Sequence, residues 1–203
     1  MPNCKGSVLF VLILTLVLTD TLIAQEKISL NKDHKFSILA GYSPISIKFF
    51  GKTPNTQTSI SQVRYQKKTK YSYKKLPIYY QVSISPYIYY DYEKRDDGGK
   101  KDIASGFGFS PIGFATFYEL NRHIDFQLST SGGFMIMNQD FPTDKGQQLN
   151  FTYELEPSLV IRNNHFFSFA AGYKFHHISN AQTGTENPGV DSNFIFFSII
   201  LSS

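Results

Sequence analysis

From residue 36 onward, apolar and polar side chains take turns along the chain. Phe36, Ile38, Ala40 and Tyr42 alternate with Ser37, Gly41 and Ser43, and Tyr80, Val82, Ile84, Pro86, Ile88 and Tyr90 alternate with Gln81, Ser83 and Ser85. The beat returns in Ile124, Phe126 and Leu128 against Asp125, Gln127 and Ser129. It runs longest where Phe151, Tyr153, Leu155, Pro157, Leu159 and Ile161 interleave with Thr152, Glu154, Glu156 and Ser158. A period of two belongs to strands whose faces meet different surroundings. Less regular stretches near 58–67, 104–118, 165–179 and 191–201 bring the predicted strands to eight, the stretch near 58–67 having the most mixed faces.

The links between strands also alternate. Tight ones are predicted at Leu120–Arg122 and Asn163–His165, and longer polar ones at Tyr92–Asp102, Gln139–Gln148 and Asn180–Val190. Short turns at one end, long loops at the other and apolar-out, polar-in strands of even number describe an outer-membrane barrel. A soluble sandwich also uses alternating strands. The barrel fits better, because Glu154 and Glu156 lie mid-strand on one face, as a polar lumen requires. Tyr and Phe crowd the strand ends, where interfacial girdles sit. The expected fold is an all-β, eight-stranded antiparallel transmembrane barrel.

The N-terminus is different. Residues 1–25 carry Lys5, then an apolar core from Val8 to Leu18, then Asp20 and the small Ala24, the three-part pattern of a secretory signal peptide. That leaves 26–203 as one exported barrel domain, placed in the outer membrane of a Gram-negative bacterium. Beyond residue 25 no apolar run approaches the ~18 residues of a spanning helix. The 19 Phe and 13 Tyr exclude a disordered chain. A net charge of +4 over 203 residues is too mild to imply nucleic acid. The one cysteine, Cys4, lies in the signal segment, so the exported part has neither disulfide nor cysteine metal site.

Charge gathers in the links. Asp91, Glu93, Asp96 and Asp97 could in principle gather a cation, but they are interleaved with Lys94, Arg95, Lys100 and Lys101 and read as solvated loop charge. Lys67, Lys68, Lys70, Lys74 and Lys75 read as a solvated or headgroup-facing turn. Gly132 and Gly133 within a strand suggest a bulge or a close backbone approach.

The chemistry lies in the last two strands. His177 and Ser179 share a face, about 6.6 Å apart at Cα, with Tyr173, Ala171, Phe169 and Phe167, so they continue the apolar outer wall while His176 turns to the lumen. Asp191 shares parity with Asn193, Ile195, Phe197, Ile199 and Leu201. A hairpin centred on Gly184 sets Asp191 opposite His177, Phe175 opposite Asn193, Tyr173 opposite Ile195, Ala171 opposite Phe197 and Phe169 opposite Ile199. A two-residue slip would keep parity and change every partner. Carboxylate, imidazole and hydroxyl on one wall are the parts of an acid–base–nucleophile triad. Polar titratable groups facing hydrocarbon are costly and mark function. The bland alternatives are a serine capping a loop and an ordinary Asn-Pro-Gly turn.

His177-Ile178-Ser179-Asn180-Ala181 followed by Asn187-Pro188-Gly189 resembles the signature of the PagL-type lipid A 3-O-deacylases, with support from Gly108-Phe109-Ser110-Pro111-Ile112-Gly113-Phe114 and Leu149-Asn150-Phe151-Thr152. The resemblance implies an eight-stranded outer-membrane barrel that hydrolyses the ester-linked 3-hydroxyacyl chain at position 3 of lipid A, without metal or cofactor. By position it makes His177 the general base and Ser179 the nucleophile, with Asn180 helping to bind the oxyanion and Asn187 supporting the site from its loop. The family's third member is a glutamate; Asp191 stands there, one methylene shorter, with Glu186 as the substitute should Asp191 fall short. The chain also ends Leu201-Ser202-Ser203, where barrels often end in an aromatic residue. The implied partners are lipid A or lipopolysaccharide and the outer membrane, not nucleic acid. The number of copies stays open, a homodimer included. A non-enzymatic structural or adhesive barrel and a soluble lipid-binding barrel are the competing readings.

Overall fold

A computed structural model describes residues 32–94, 98–163 and 166–203. The signal segment expected at 1–25 lies outside them, as do Asp96, Asp97 and His165. In chain order the strands are β1 (His34–Ser43), the two-residue β2 (Ser46–Ile47), β3 (Gln57–Tyr73), β4 (Leu76–Glu93), β5 (Lys101–Asn121), β6 (Ile124–Phe141), β7 (Gln147–Arg162), β8 (Phe167–Ser179) and β9 (Val190–Ser202). The eight long strands pair antiparallel with their neighbours, and β1 pairs with β9 to close the ring. Closure leaves no open sheet edge, which hydrocarbon would not tolerate. At the seam the backbones of His34 and Ser203 exchange two hydrogen bonds of 3.2 and 3.0 Å, so the seam reaches the last residue.

The connections sort by length as expected. Among the described residues, Lys74–Lys75 and Arg122–His123 are two-residue turns at one end, while 44–56, 142–146 and 180–189 are longer connections at the other, the end where β4 finishes at Glu93 and β5 starts at Lys101. β3 is longer than predicted, because it extends to Tyr73 and takes in Lys67, Lys68 and Lys70.

Outward side chains form an apolar band, with Ile38, Ile84, Ile112, Leu128, Leu159, Phe169 and Phe197 all exposed. A soluble protein would not expose a wall of this extent. The mid-lumen is polar, as Glu154 and Glu156 suggested. Arg64 Nη2 lies 2.7 Å from Glu156, and Lys174 Nζ lies 3.1 Å from both Glu154 and Glu156. Gln62 and Ser131 donate to Glu154 at 3.2 and 2.8 Å. Two carboxylates and two cations balance, all of them buried, and together they plug the barrel.

One face assignment is overturned. Ile88 and Tyr90 were expected on the outer face with Tyr80 and Ile84, but both are fully buried inside. A register shift between Ser85 and Ile88 against β5 inverts the alternation there. Pro86 sits in that shift; it has no N–H for the ladder and is tolerated at bulges. Above it the lumen is apolar, with Ile88, Tyr90, Tyr92, Met135, Met137, Phe141, Ile178 and Phe194 packed beneath the loops. Gly133 is the expected close approach, since a Cβ there would meet Phe109 O at 2.2 Å.

Candidate functional site

At the loop end, β8 and β9 pair in the expected register: His177 opposite Asp191, Phe175 opposite Asn193, Tyr173 opposite Ile195, Ala171 opposite Phe197 and Phe169 opposite Ile199. Facing residues of an antiparallel pair hold their Cβ atoms about 4.5–5.5 Å apart, so a short acid can reach a histidine across the ladder. His177 Nδ1 lies 2.6 Å from Asp191 Oδ1. A carboxylate can only accept, so Nδ1–H donates and the Nε2 lone pair faces away from the acid.

The other carboxylate oxygen is held by backbone. Asp191 Oδ2 accepts from the N–H groups of Phe49, Phe50 and Gly51 at 2.9, 2.6 and 2.7 Å. The sequence dictates this local path. β1 breaks at Pro44, β2 continues along β9 through Ser46 and Ile47, and the chain then folds over Asp191. The N–H groups of Lys52 and Thr53 next donate to Pro188 O and Gly189 O. A Cβ on Gly51 would stand 2.9 Å from Gly189 C and Val190 N, so the two loops touch through glycine backbone. Gly189 itself has φ +59°, a left-handed conformation that glycine adopts without strain.

Asp191 therefore has outward parity yet is fully buried, under a lid that supplies its hydrogen bonds. A buried carboxylate without partners would be costly, and here both oxygens are satisfied. Phe50 packs edge-on against the His177 ring at 5.6 Å, and Phe49 and Phe50 cover Phe175 at 5.9 and 6.0 Å. Phe49 and Phe50 stay exposed on their far sides, 70% and 58%.

Ser179 ends β8 on the same face as His177, its side chain partly exposed and without a hydrogen bond among the described residues. Asn180, expected beside the oxyanion, is 1% exposed. Its Nδ2 donates to Glu186 O at 2.7 Å, its Oδ1 accepts from Gln182 N–H at 3.0 Å, and its own N–H donates to Asn187 Oδ1 at 3.0 Å. Asn180 and Asn187 thus clamp the turn after the serine. The clamp holds Ala181 and Gln182 at φ +51° and +63°, the kind of backbone strain that persists only when the surroundings impose it. Glu186 turns away toward Lys145, 3.6 Å from its Nζ, and the carboxylate that meets His177 is that of Asp191.

Among the described residues no three His, Cys, Asp or Glu side chains gather as a metal site. Asp91 faces Lys101, and Glu93 accepts from Asn55. The 44–56 cover is not legible from side-chain patterning, because its contacts with Asp191 are made by backbone N–H groups. Gly51 after two aromatics was the available signal.

A family model described as lipid A 3-O-deacylase (PagL) matches residues 60–199, a span that holds His177, Ser179 and Asp191 but not the covering loop. No curated protein sequence matches the chain. The structure is similar to the crystal structure of the outer membrane enzyme PagL, with TM-score 0.56 and 15% identity over 81% of this chain and 97% of that one. It is also similar to Neisserial surface protein A (NspA), with TM-score 0.54 and 10% identity over 84% of this chain and 97% of that one. The first is described as an enzyme and the second as a surface protein, so barrel shape by itself does not choose a chemistry.

Proposed function

The chain belongs to the lipid A 3-O-deacylase (PagL) family, and we propose that it hydrolyses the ester holding the 3-hydroxyacyl chain at position 3 of lipid A. Ser179 is the nucleophile, His177 its general base and Asp191 the acid that fixes the imidazole. The observation that carries this reading is the 2.6 Å His177–Asp191 hydrogen bond on the outer wall, with Ser179 one strand repeat farther along the same face.

Long loops mark the extracellular end of such barrels. His177 and Ser179 therefore stand where lipid A esters lie, just below the headgroups. His177 Nε2 takes the Ser179 proton as Oγ bonds to the ester carbonyl carbon. The tetrahedral oxyanion collapses, the sugar oxygen leaves, and the His177 imidazolium protonates it. Water, deprotonated by His177, then attacks the acyl–Ser179 ester; its collapse releases the 3-hydroxy fatty acid, and Ser179 regains its proton. Asp191 stabilises the imidazolium in both halves. The clamp of Asn180 and Asn187 supports a positioning role for that pair, setting the chain's exit from Ser179. The Phe49–Phe50 edge gives the departing acyl chain an apolar bed.

The test is lipid A mass spectrometry of cells expressing the intact protein or Ser179→Ala. Loss of one hydroxyacyl chain with the former and not the latter is expected. Deacylation that persists in the variant removes Ser179 from the mechanism, and unmodified lipid A with both proteins favours a structural or adhesive barrel.

A further inference from the structure

The opposite end of the barrel carries a second built feature. A groove of about 420 Å³ lies between the β3–β4 hairpin and the outer wall, lined by Tyr71, Tyr73, Leu76, Phe114, Leu128 and Leu155 among others. Its size and apolar lining are those of a ligand pocket. A register shift between Lys68 and Ser72 bends the hairpin. Thr69 Oγ donates to Ile78 O at 2.8 Å and Thr116 Oγ to Pro77 O at 3.0 Å, tying the bent hairpin to itself and to β5.

The rim of the groove is cationic. Lys70 Nζ stands 5.4 Å from the Tyr71 ring centre and Lys74 Nζ 5.5 Å from that of Tyr73, so the rings that line the groove carry ammonium groups. No Asp or Glu occurs anywhere from His34 to Tyr90. The turn is also strained: Lys74 and Lys75 take φ +47° and +71°, at positions where two-residue hairpins favour Asn and Gly. A conformation that costs energy for lysine and none for glycine points to a use for the two ammonium groups.

We propose that this groove binds one anionic glycerophospholipid of the periplasmic leaflet. An acyl chain lies among Leu76, Phe114, Leu128 and Leu155, and the phosphate meets Lys70, Lys74 and Lys75. Short turns face the periplasm in such barrels, which puts these lysines at that leaflet's headgroups. Charge complementarity selects the occupant, since each lysine near an anionic surface adds attraction that a zwitterionic lipid does not return.

The experiment uses the full barrel in zwitterionic detergent, offered phosphatidylglycerol or phosphatidylcholine with identical chains, and counts retained lipids by native mass spectrometry. The expected result is one phosphatidylglycerol per barrel, retained about tenfold or more over phosphatidylcholine. The variant Lys70→Gln/Lys74→Gln/Lys75→Gln, changed only at exposed positions, loses that preference. Leu155→Trp, which fills the groove, lowers retention of both lipids. Equal retention by the unaltered barrel, a preference that survives the lysine changes, or a barrel dimer in place of the lipid-bound monomer overturns the proposal. Ser179→Ala binds like the unaltered protein, so the outcome does not depend on the deacylase reading.

Discussion

His176 and His177 follow one another on β8, and the alternation of the strand sends the first into the lumen and the second onto the wall. Both lie near a carboxylate. His176 is fully buried, 3.8 Å from Glu154, and neither ring nitrogen has a hydrogen-bond partner among the described residues. Glu154 is already shared among Lys174, Gln62 and Ser131. Asp191 gives one oxygen wholly to His177 and the other to backbone. Proximity of imidazole to acid is thus common to both regions. What differs is a committed acceptor for Nδ1 and a side chain that keeps 18% exposure, where that of His176 has none.

Five substitutions sharpen or break that contrast. Ser179→Ala is expected to reduce deacylation about 10⁴–10⁶-fold while barrel folding, read by circular dichroism, is unchanged. Asp191→Asn should cost about 10⁴-fold in turnover. If the asparagine keeps its oxygen toward the three N–H groups, its NH₂ faces His177 Nδ1, and the proton moves to Nε2, where it blocks the base. An asparagine variant within tenfold of the parent would detach the acid from the mechanism.

The lumen responds in stability instead. Lys174→Met leaves two buried carboxylates with a single cation, Arg64, and should cost about 3–5 kcal/mol in equilibrium urea unfolding. Gly51→Ala must push the covering loop off Gly189. A displacement on the ångström scale at the acid corresponds to about 100-fold in turnover, with little change in KM. The His177 Nδ1 proton, read by NMR, should lose its strongly hydrogen-bonded shift in that variant. His176→Gln closes the series: turnover is expected within about threefold of the parent, because the residue faces the plug and not the substrate.

The sequence made the wall legible and the loops much less so. Alternation through β7, β8 and β9 is uninterrupted near the site, so parity and a single turn centre were enough to pair His177 with Asp191. Through β4 the same rule failed at Ile88 and Tyr90, because the bulge at Pro86 shifts the count and a binary pattern carries no record of an extra residue. Asn180 was legible as a site neighbour from the motif, but its hydrogen bonds run to loop carbonyl and amide groups that side-chain spacing does not encode. The cover over Asp191 was invisible for the same reason. It consists of peptide N–H groups, which every non-proline residue has.

That cover comes from the segment following β1, and it rests on β9, the last strand of the chain. The acid is seated only where the segment after β1 crosses β9. Without that segment His177 and Ser179 would still share the β8 wall, two residues apart, but Asp191 Oδ2 would lose all three of its backbone donors. Closing the ring and seating the Asp191 carboxylate are thus a single geometric event, because the peptide groups that hold its Oδ2 belong to the segment that joins the two ends of the sheet.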